Sequence, residues 1–439
     1  MATLTDYNWD IRLRRQYQTL VTIQIPLSLG AFPLVAGLAT SLGMESQTLT
    51  VPYRGLVIAL AIMTIALSFL LRKRDMYQGI AMYPLMVFVL AYTARLLADT
   101  VVSPVPTSFE PYFYWLFFFG TGIIPMVPLM IMTDARTMRR ALLGLLAVLA
   151  LAGVLNLYAA TQVQSLLDQT NQFTDRLGTD AVNPISVGHL GTSLTLLGFF
   201  LLYSGERVLA NRGLSYLFWI ACIVFGTGLV AMAASRGPQL ALLITVIAFL
   251  TANYRRLRPI HFVFLLFMIV LGYIALMWVQ ETTIYAPLER LRGLLEEDES
   301  VFGRREALAN AWDQFLESPI FGSGLEEKIS MFYPHNIVVE SFMATGIVGG
   351  IAFCLLSLYC FNYAFRSMKT PQGWIGMLFF QYYIGNLVSG AIFTGWYLWV
   401  SIGIVLGWAQ YHRRVQSTRT QQAEPVLATA RRPGVRVYR

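Results

Sequence analysis

Long apolar runs dominate the chain, and they are far longer than the apolar stretches of a soluble domain. A helix that crosses a bilayer needs about 20 mostly apolar residues. Twelve runs meet or approach that length: 20–42, 55–71, 79–97, 112–132, 141–160, 185–203, 214–234, 237–252, 260–279, 336–364, 374–393 and 395–411. Continuous runs also exclude an outer-membrane barrel, whose strands alternate polar and apolar residues. The pattern predicts an all-α polytopic membrane protein with about twelve transmembrane helices.

The composition excludes several other classes of protein. Of the 439 residues, 56% are hydrophobic and 13% are charged, whereas soluble domains contain roughly 25% charged residues. An aqueous enzyme, a disordered chain, a coiled coil and a disulfide scaffold are all inconsistent with these values. The three cysteines, Cys222, Cys354 and Cys360, lie inside apolar runs and are interpreted as small buried hydrophobic residues.

The basic residues predict how the chain is oriented. If the twelve runs alternate in direction, the side that holds both termini carries 23 of the 32 Lys and Arg residues but only six of the 24 Asp and Glu residues. Cytoplasmic segments of membrane proteins are enriched in Lys and Arg. Both termini are therefore predicted to be cytoplasmic. The net charge of +8 is assigned to topology, and no nucleic-acid partner is expected.

The longest polar segment, residues 280–335, is predicted to be a periplasmic loop with two short helices, at 286–297 and 304–317. The predicted divisions are residues 1–182 with helices 1–5 and a first periplasmic loop, a core at 183–364, helices 11–12 at 365–411, and a basic cytoplasmic tail at 412–439. Function is sought on the outer side, because the cytoplasmic loops are short. No nucleotide-binding fingerprint or Cys/His cluster is present, so no cofactor and no metal are predicted.

Ser235 and Arg236 lie between two apolar runs that almost touch, on the acidic outer side. Ser235 can cap the following helix, and Pro238 suits its first turn. A helix start beside an arginine favours an anion, so Arg236 is predicted to bind phosphate. A tight hairpin with a snorkelling arginine is the alternative.

Arg304 and Arg305 begin the second loop helix and form a second basic patch. Phosphate binding is again predicted, and salt bridges with the acidic run 296–299, itself expected to be a solvated turn, are the alternative.

His335 follows Pro334 where the chain is predicted to re-enter the membrane, in the first turn of the tenth span. A neutral histidine can act as a general base, and a capping role is the alternative. Asn336 and Glu340 are four residues apart and share a helix face. Further along the span, Gly346, Gly349 and Gly350 are predicted to allow close helix packing.

Together these motifs resemble the O-antigen ligase and O-antigen polymerase superfamily. The resemblance rests on Ser235-Arg236-Gly237, Arg304 with Pro319 fifteen residues later, Phe321-Gly322-Ser323-Gly324, His335 to Glu340, Gly346-Ile347-Val348-Gly349, and Asn183-Pro184-Ile185. It covers roughly residues 183–350. One departure is Leu308, where family members often carry a tryptophan; here Trp312 follows one helical turn later.

The resemblance implies a metal-independent, inverting glycosyltransferase at the periplasmic face of the bacterial inner membrane. Such enzymes transfer a glycan from undecaprenyl diphosphate to an acceptor hydroxyl, here of lipid A-core in lipopolysaccharide biosynthesis or of another glycan. It implies that His335 is the catalytic base and that Arg236 and Arg304, with Arg305 as a helper, bind the diphosphate. Asn336, Glu340 and Ser235 are expected to support them.

Two alternatives remain open at this point. A polysaccharide polymerase of the same superfamily would use the same donor but pass the glycan to another lipid-linked repeat unit. A twelve-helix transporter or lipid flippase is the candidate from another class. It should show two similar halves and several polar residues at mid-membrane depth, and the sequence shows neither similar halves nor many mid-span charges.

Overall fold

A computed structural model of the chain describes residues 4–71, 79–131, 134–168, 177, 182–256 and 299–430. The described part forms twelve helices: α1 (Leu4–Ser41), α2 (Ser46–Leu70), α3 (Met82–Val102), α4 (Pro111–Leu129), α5 (Ala135–Asp168), α6 (Pro184–Ser204), α7 (Arg212–Ala233), α8 (Arg236–Asn253), α9 (Glu299–Glu317), α10 (Ile337–Ser367), α11 (Gly373–Ser389) and α12 (Trp396–Ala430). α3 ends in a π-helical turn, and α4 contains a π-helical stretch.

The predicted all-helical membrane fold is confirmed. The described residues contain no β-strand, apart from one isolated bridge between Glu327 and Phe332. Nine of the described helices are long and apolar enough to cross a membrane, namely α1 to α8 and α10. The predicted ninth run, 260–279, and the first loop helix, 286–297, lie outside the described residues. The count of twelve spans, their orientation and the domain boundaries stay predictions.

Apolar burial is concentrated between the helices, where large aromatic side chains fill the interior. Phe88 on α3 packs against Phe353 on α10 and Trp399 on α12, with ring centroids 5.0 and 5.7 Å apart. All three rings are buried, and such pairs contribute beyond the area they bury. These contacts fix α3, α10 and α12 relative to one another, and these helices position the polar residues described below.

α10 is broken at Gly346, which differs from the close helix packing predicted there. Gly346 has φ +64° and ψ −164°, a conformation that only glycine adopts readily. The turn after α9 fills the break: the Pro319 carbonyl accepts a hydrogen bond from the Ile347 N–H at 2.7 Å, and the Met343 carbonyl accepts one from Ser323 at 2.9 Å. A Cβ at residue 346 would overlap the Ile320 carbonyl. The break at Gly346 therefore makes room for the turn after α9, whereas Gly349 lies against Ala91 on α3.

Candidate functional site

The carboxyl end of α11, at Val388 and Ser389, is the point where three distant parts of the chain meet. The Val388 carbonyl accepts a long hydrogen bond of 3.5 Å from the guanidinium of Arg304 on α9. Ser389 forms a backbone hydrogen bond with the His335 ring. Gly237, at the start of α8, lies so close that a Cβ there would be 3.2 and 3.3 Å from the Val388 and Ser389 side chains. We call Val388–Ser389 the α11 terminus.

His335 lies just before α10, which corrects its predicted place in the first turn of that helix. α10 begins at Ile337 and Asn336 is its N-cap, so His335 precedes the helix. His335 has φ +58°, in the left-handed region that few non-glycine residues occupy. Its ring packs against Tyr333 and Phe332, with centroids 4.7 and 5.5 Å apart. These contacts orient the imidazole toward the α11 terminus.

The surroundings of His335 keep its ring uncharged. Burial and, to a smaller extent, the positive charge of Arg304 lower the pKa of His335, the Ser389 backbone contact opposes both effects, and the resulting pKa is about 4. The Nδ1 atom is buried and has no hydrogen-bond partner among the described residues. Because the pKa lies well below 7, the imidazole is neutral at physiological pH and can accept a proton.

Arg236 occupies the first position of α8, and Ser235 is the N-cap, as predicted. Ala234 takes a left-handed conformation, with φ 45° and ψ 38°, and ends α7. The Ser235 side chain does not form the predicted capping hydrogen bond. Arg236 is half-buried, and the positive end of the α8 dipole lies beside it. This helix start therefore has the charge pattern of an anion site, and it borders the α11 terminus.

Arg304 and Arg305 lie on α9, which begins at Glu299, five residues earlier than predicted. Both side chains are exposed. Because neighbouring residues of a helix point about 100° apart, the two arginines face different directions, and Arg304 contacts the α11 terminus. α9 packs on α10 through Phe315 and Trp312, whose ring centroids lie 5.4 and 6.1 Å from that of Phe342. The alternative predicted for these arginines is a salt bridge with the acidic run 296–299. Residues 296–298 of that run lie outside the described part of the chain.

The side chains of Asn336 and Glu340 accept hydrogen bonds from backbone N–H groups around His335. The Asn336 side chain accepts hydrogen bonds from the N–H groups of Val338 and Val339, at 3.0 and 3.1 Å. The fully buried Glu340 carboxylate accepts one from the Ile392 N–H at 2.9 Å. The indole N–H of Trp399 donates to the Ile392 carbonyl at 2.8 Å. The turn that follows the α11 terminus is thus fixed from both sides.

A buried ion pair that the sequence reading missed fixes the loop between α9 and α10. Arg95 and Asp99 on α3 form a salt bridge of 3.0 Å. Arg95 also donates to the Gly322 carbonyl at 2.7 Å and to the Ala344 carbonyl at 2.9 Å, and Asp99 accepts from the Leu325 N–H at 2.9 Å. A charged i,i+4 pair inside an apolar run is the sequence signal that could have revealed this clamp.

A second contact secures the same loop at Glu326. Its carboxylate accepts hydrogen bonds from the Tyr114 hydroxyl at 2.5 Å, from the Ser108 N–H at 2.8 Å, and from the Ser108 hydroxyl. Three acceptor bonds satisfy a buried carboxylate that would otherwise be costly. With the Arg95 clamp, α3 and α4 hold the chain that leads to His335, although the family resemblance does not extend to these helices.

Over the stretches that the structure covers, no group of three or more His, Cys, Asp or Glu side chains is placed to hold a metal ion.

Residues 217–354 match the sequence model of a family described as O-antigen ligase. The predicted resemblance to the O-antigen ligase and polymerase superfamily is confirmed over this stretch. No curated protein matches the chain. The matched stretch includes Arg236, Arg304 and His335, the three predicted residues whose segments meet at the α11 terminus. Arg95, Asp99 and the α11 terminus itself lie outside it.

Proposed function

We propose that the protein transfers a glycan from undecaprenyl diphosphate to an acceptor hydroxyl, as an O-antigen ligase does. The observation that supports this most is the meeting of His335, Arg304 and the Arg236 helix start at the α11 terminus. A neutral base beside two basic groups suits a reaction in which an alcohol loses a proton while a diphosphate gains charge. The lipid bilayer and lipid A-core complete the set of proposed partners.

The reaction forms one carbon–oxygen bond and breaks another. The acceptor oxygen attacks the anomeric carbon of the donor sugar, and the bond from that carbon to the diphosphate oxygen breaks. The acceptor proton passes to the neutral imidazole of His335 and then to solvent. Direct attack inverts the anomeric centre. The electron pair of the broken bond stays on the diphosphate, which leaves with increased negative charge.

Arg236 and Arg304 are the groups proposed to bind that charge. Each offers a planar fork of N–H donors that matches two phosphate oxygens, and donors aimed at developing charge are an effective means of lowering a barrier. Arg305 is proposed as a helper, since it is adjacent but points along another face of α9. Ser235, Asn336 and Glu340 are proposed to position the two helix starts rather than to react.

Placement at the periplasmic face of the inner membrane is part of the same proposal. Arg304, His335, Arg236 and the α11 terminus lie in segments that the charge distribution assigns to the outer side. At the opposite helix ends, Arg139 pairs with Glu206 at 3.0 Å and Arg256 donates to the Lys369 carbonyl at 3.0 Å. These are segments assigned to the cytoplasm. Contacts therefore join segments of the same assignment at each end, which supports a site open to the periplasm.

Reconstitution tests the proposed reaction. The purified protein is placed in vesicles with a glycan linked to undecaprenyl diphosphate and with lipid A-core, without an energy source, and the acceptor is analysed for added glycan. We expect transfer by the wild type and by His412→Ala, a control in which the lost ring stacks on Trp408 at the far helix ends, 4.9 Å away. Absence of transfer with a glycan-bearing donor and acceptor would refute the proposal, and movement of lipid without transfer would favour the flippase.

A polymerase would use the same site, so the acceptor must be identified in cells. In a deletion strain, retained lipid-linked polymer with no polymer on lipid A-core indicates a ligase. Single repeat units attached to lipid A-core indicate a polymerase. The base and diphosphate site proposed here apply to both activities, because only the acceptor differs.

A further inference from the structure

Arg54 on α2 lies far from the α11 terminus along the chain, and the proposed transfer does not use it. Its guanidinium carbon lies 5.2 Å from the ring centroid of Phe32 and 4.8 Å from that of Phe117. Ring contacts of this kind stabilise the cation but supply no carboxylate. Within the described residues, no Asp or Glu forms a salt bridge with Arg54, and no group accepts a hydrogen bond from it.

Arg54 forms one wall of a cleft between α1, α2, α4 and the start of α12. The cleft is narrow and open to the outside, and Ser28, Tyr53, Thr121 and Trp396 contribute to its lining. The side chain of Ser28 is 5% exposed, yet its hydroxyl has no hydrogen-bond partner among the described residues. A buried hydroxyl without a partner is costly, so a polar ligand in the cleft would remove a penalty.

The position of Arg54 in α2 places it at headgroup level. α2 begins at Ser46, at an end assigned to the outer side, and the apolar run of this span begins at residue 55, directly after Arg54. Trp396 and Tyr53 have the amphipathic rings that are typical of the membrane interface. Lipid phosphates lie at this depth, and arginine binds them through two parallel hydrogen bonds.

We infer that the Arg54 cleft binds the phosphate group of a membrane lipid in the outer leaflet. Arg54 supplies charge and a fork of donors, and the Ser28 hydroxyl donates a further hydrogen bond to a phosphate oxygen. The aromatic walls contact the glycerol or acyl carbons next to the phosphate. This site is separate from the proposed diphosphate site, and its existence does not depend on glycosyl transfer.

A row of aromatic rings connects the cleft to His335. Phe117 lies 6.5 Å from Phe393, Phe393 lies 6.0 Å from Tyr333, and Tyr333 lies 4.7 Å from His335, between ring centroids. A lipid held at Arg54 is therefore connected to the proposed reaction site through three rings. Its phosphate could belong to a bulk phospholipid or to a lipid-linked substrate, and the experiment separates these two sources.

Lipid retention by the purified protein tests the inference without any enzyme assay. The probe is dioctanoyl phosphatidylglycerol, the phosphate-free control is dioctanoylglycerol, and bound lipid is counted by native mass spectrometry. We expect the wild type to retain the first lipid and not the second. Arg54→Gln should weaken retention on the order of tenfold or more, the loss of one charge-assisted contact, while Arg54→Lys keeps part of it.

Two further variants test whether misfolding or a general loss of positive charge could explain weaker lipid retention by Arg54→Gln. Ser28→Asp places a carboxylate in the cleft and should abolish retention. Arg366→Gln is the matched control, because Arg366 also lies over an aromatic ring, 5.4 Å from Tyr363, but at the opposite end; it should retain lipid normally. Equal retention by wild type, folded Arg54→Gln and Ser28→Asp, or equal retention of both lipids, would overturn the inference.

Competition identifies the source of the phosphate. Undecaprenyl phosphate or lipid A-core is added to protein that already holds the phosphatidylglycerol probe. Displacement at concentrations well below that of the probe assigns the cleft to a lipid-linked substrate, whereas displacement only at equal or higher concentrations assigns it to bulk phospholipid. Both outcomes support a phosphate site.

Discussion

The buried carboxylate of Glu340 accepts a hydrogen bond of 2.9 Å from the backbone N–H of Ile392. This contact joins the start of α10, beside His335, to the turn that follows the α11 terminus. Two segments that approach the proposed site from different helices are therefore fixed by one side chain.

The first prediction separates a positioning role of Glu340 from a chemical one. Glu340→Gln keeps an oxygen that can accept from Ile392, so activity should stay within a fewfold of wild type. Glu340→Ala leaves a buried N–H without an acceptor, which costs about 1–3 kcal/mol of stability, and turnover should fall as the turn shifts. Melting temperature and transfer rate are measured for both. If Gln is as damaging to turnover as Ala while the melting temperature holds, Glu340 takes part in the chemistry.

His335→Ala should lower turnover by roughly 10²–10⁴-fold, the usual contribution of a general base, with the protein still folded and inserted. Burial and the nearby Arg304 hold its pKa at about 4. The neutral, active form therefore persists until the pH falls close to that value. Near-normal turnover by purified His335→Ala would remove it from the mechanism.

The pH dependence of the reaction gives a separate prediction. The acid limb of kcat/KM, which reports the free enzyme, should lie near pH 4 rather than near 6.5. Bound diphosphate offsets the positive charge of Arg304, so the pKa of His335 should rise in the complex and the acid limb of kcat should lie at higher pH. A free-enzyme limb near 6.5 would contradict the proposed environment of His335.

Replacing arginine by lysine tests the proposed diphosphate clamp at Arg236 and Arg304. Lysine keeps the charge and the long stem but loses the planar fork. Loss of one charge-assisted hydrogen bond costs on the order of 1.5–3 kcal/mol, so each substitution should reduce kcat/KM roughly 10- to 150-fold. Arg305→Lys is the matched control and should be milder. Full activity in both test variants, with unchanged donor affinity, would refute the clamp.

The Arg95–Asp99 pair should be essential for a stable outer loop. Arg95→Met leaves the Asp99 carboxylate buried without its cation, and breaking a buried pair costs about 3–5 kcal/mol. The exposed pair Lys328–Glu317, with side chains 62% and 69% exposed, is the control, and Lys328→Ala should change stability by about 1 kcal/mol or less. Thermal unfolding and proteolysis at residues 318–335 are measured. Equal effects of the two substitutions would show that Arg95 does not hold the loop.

Transfer should continue after strong chelation of divalent ions. The proposed clamp neutralises the leaving diphosphate with arginine side chains, which takes the place of a cation in this role. The assay compares activity before and after treatment with a chelator, with added Mg²⁺ or Mn²⁺ as the control. Loss of activity that either ion restores would show that a metal takes part.

Much of the helical fold could be predicted from the sequence, because spans such as α6 and α7 are predominantly apolar and have clear caps. Asn183 and Asn211 cap them through side-chain hydrogen bonds. Arg236, Arg304 and His335 could be singled out because basic groups and histidines are few on the acidic side that is predicted to face outward. The position where they meet, the α11 terminus, could not be predicted from the sequence. Val388 and Ser389 contribute backbone groups, and every residue has these, so the sequence does not distinguish them.

The exact geometry around these residues also lay beyond sequence reasoning. A helical pattern that continues through His335 and Gly346 gives no sign that His335 precedes the helix or that α10 is broken. The positive φ of both residues results from tertiary contacts, with the α11 terminus and with the turn after α9. The i,i+4 spacing of Arg95 and Asp99 is visible in the sequence, but their partners Gly322 and Leu325, more than 200 residues away, are not.

The break at Gly346 also determines how this helix can be assembled in a membrane. Backbone groups beside the break form hydrogen bonds with Pro319, Ser323 and Arg95, and lipid offers no hydrogen bonds in their place. Before the turn after α9 reaches it, the segment from Ile337 onward is most stable in lipid as an unbroken helix. The bend therefore forms when the turn after α9 docks against α10, so α10 gains its final shape only after the helix has been inserted.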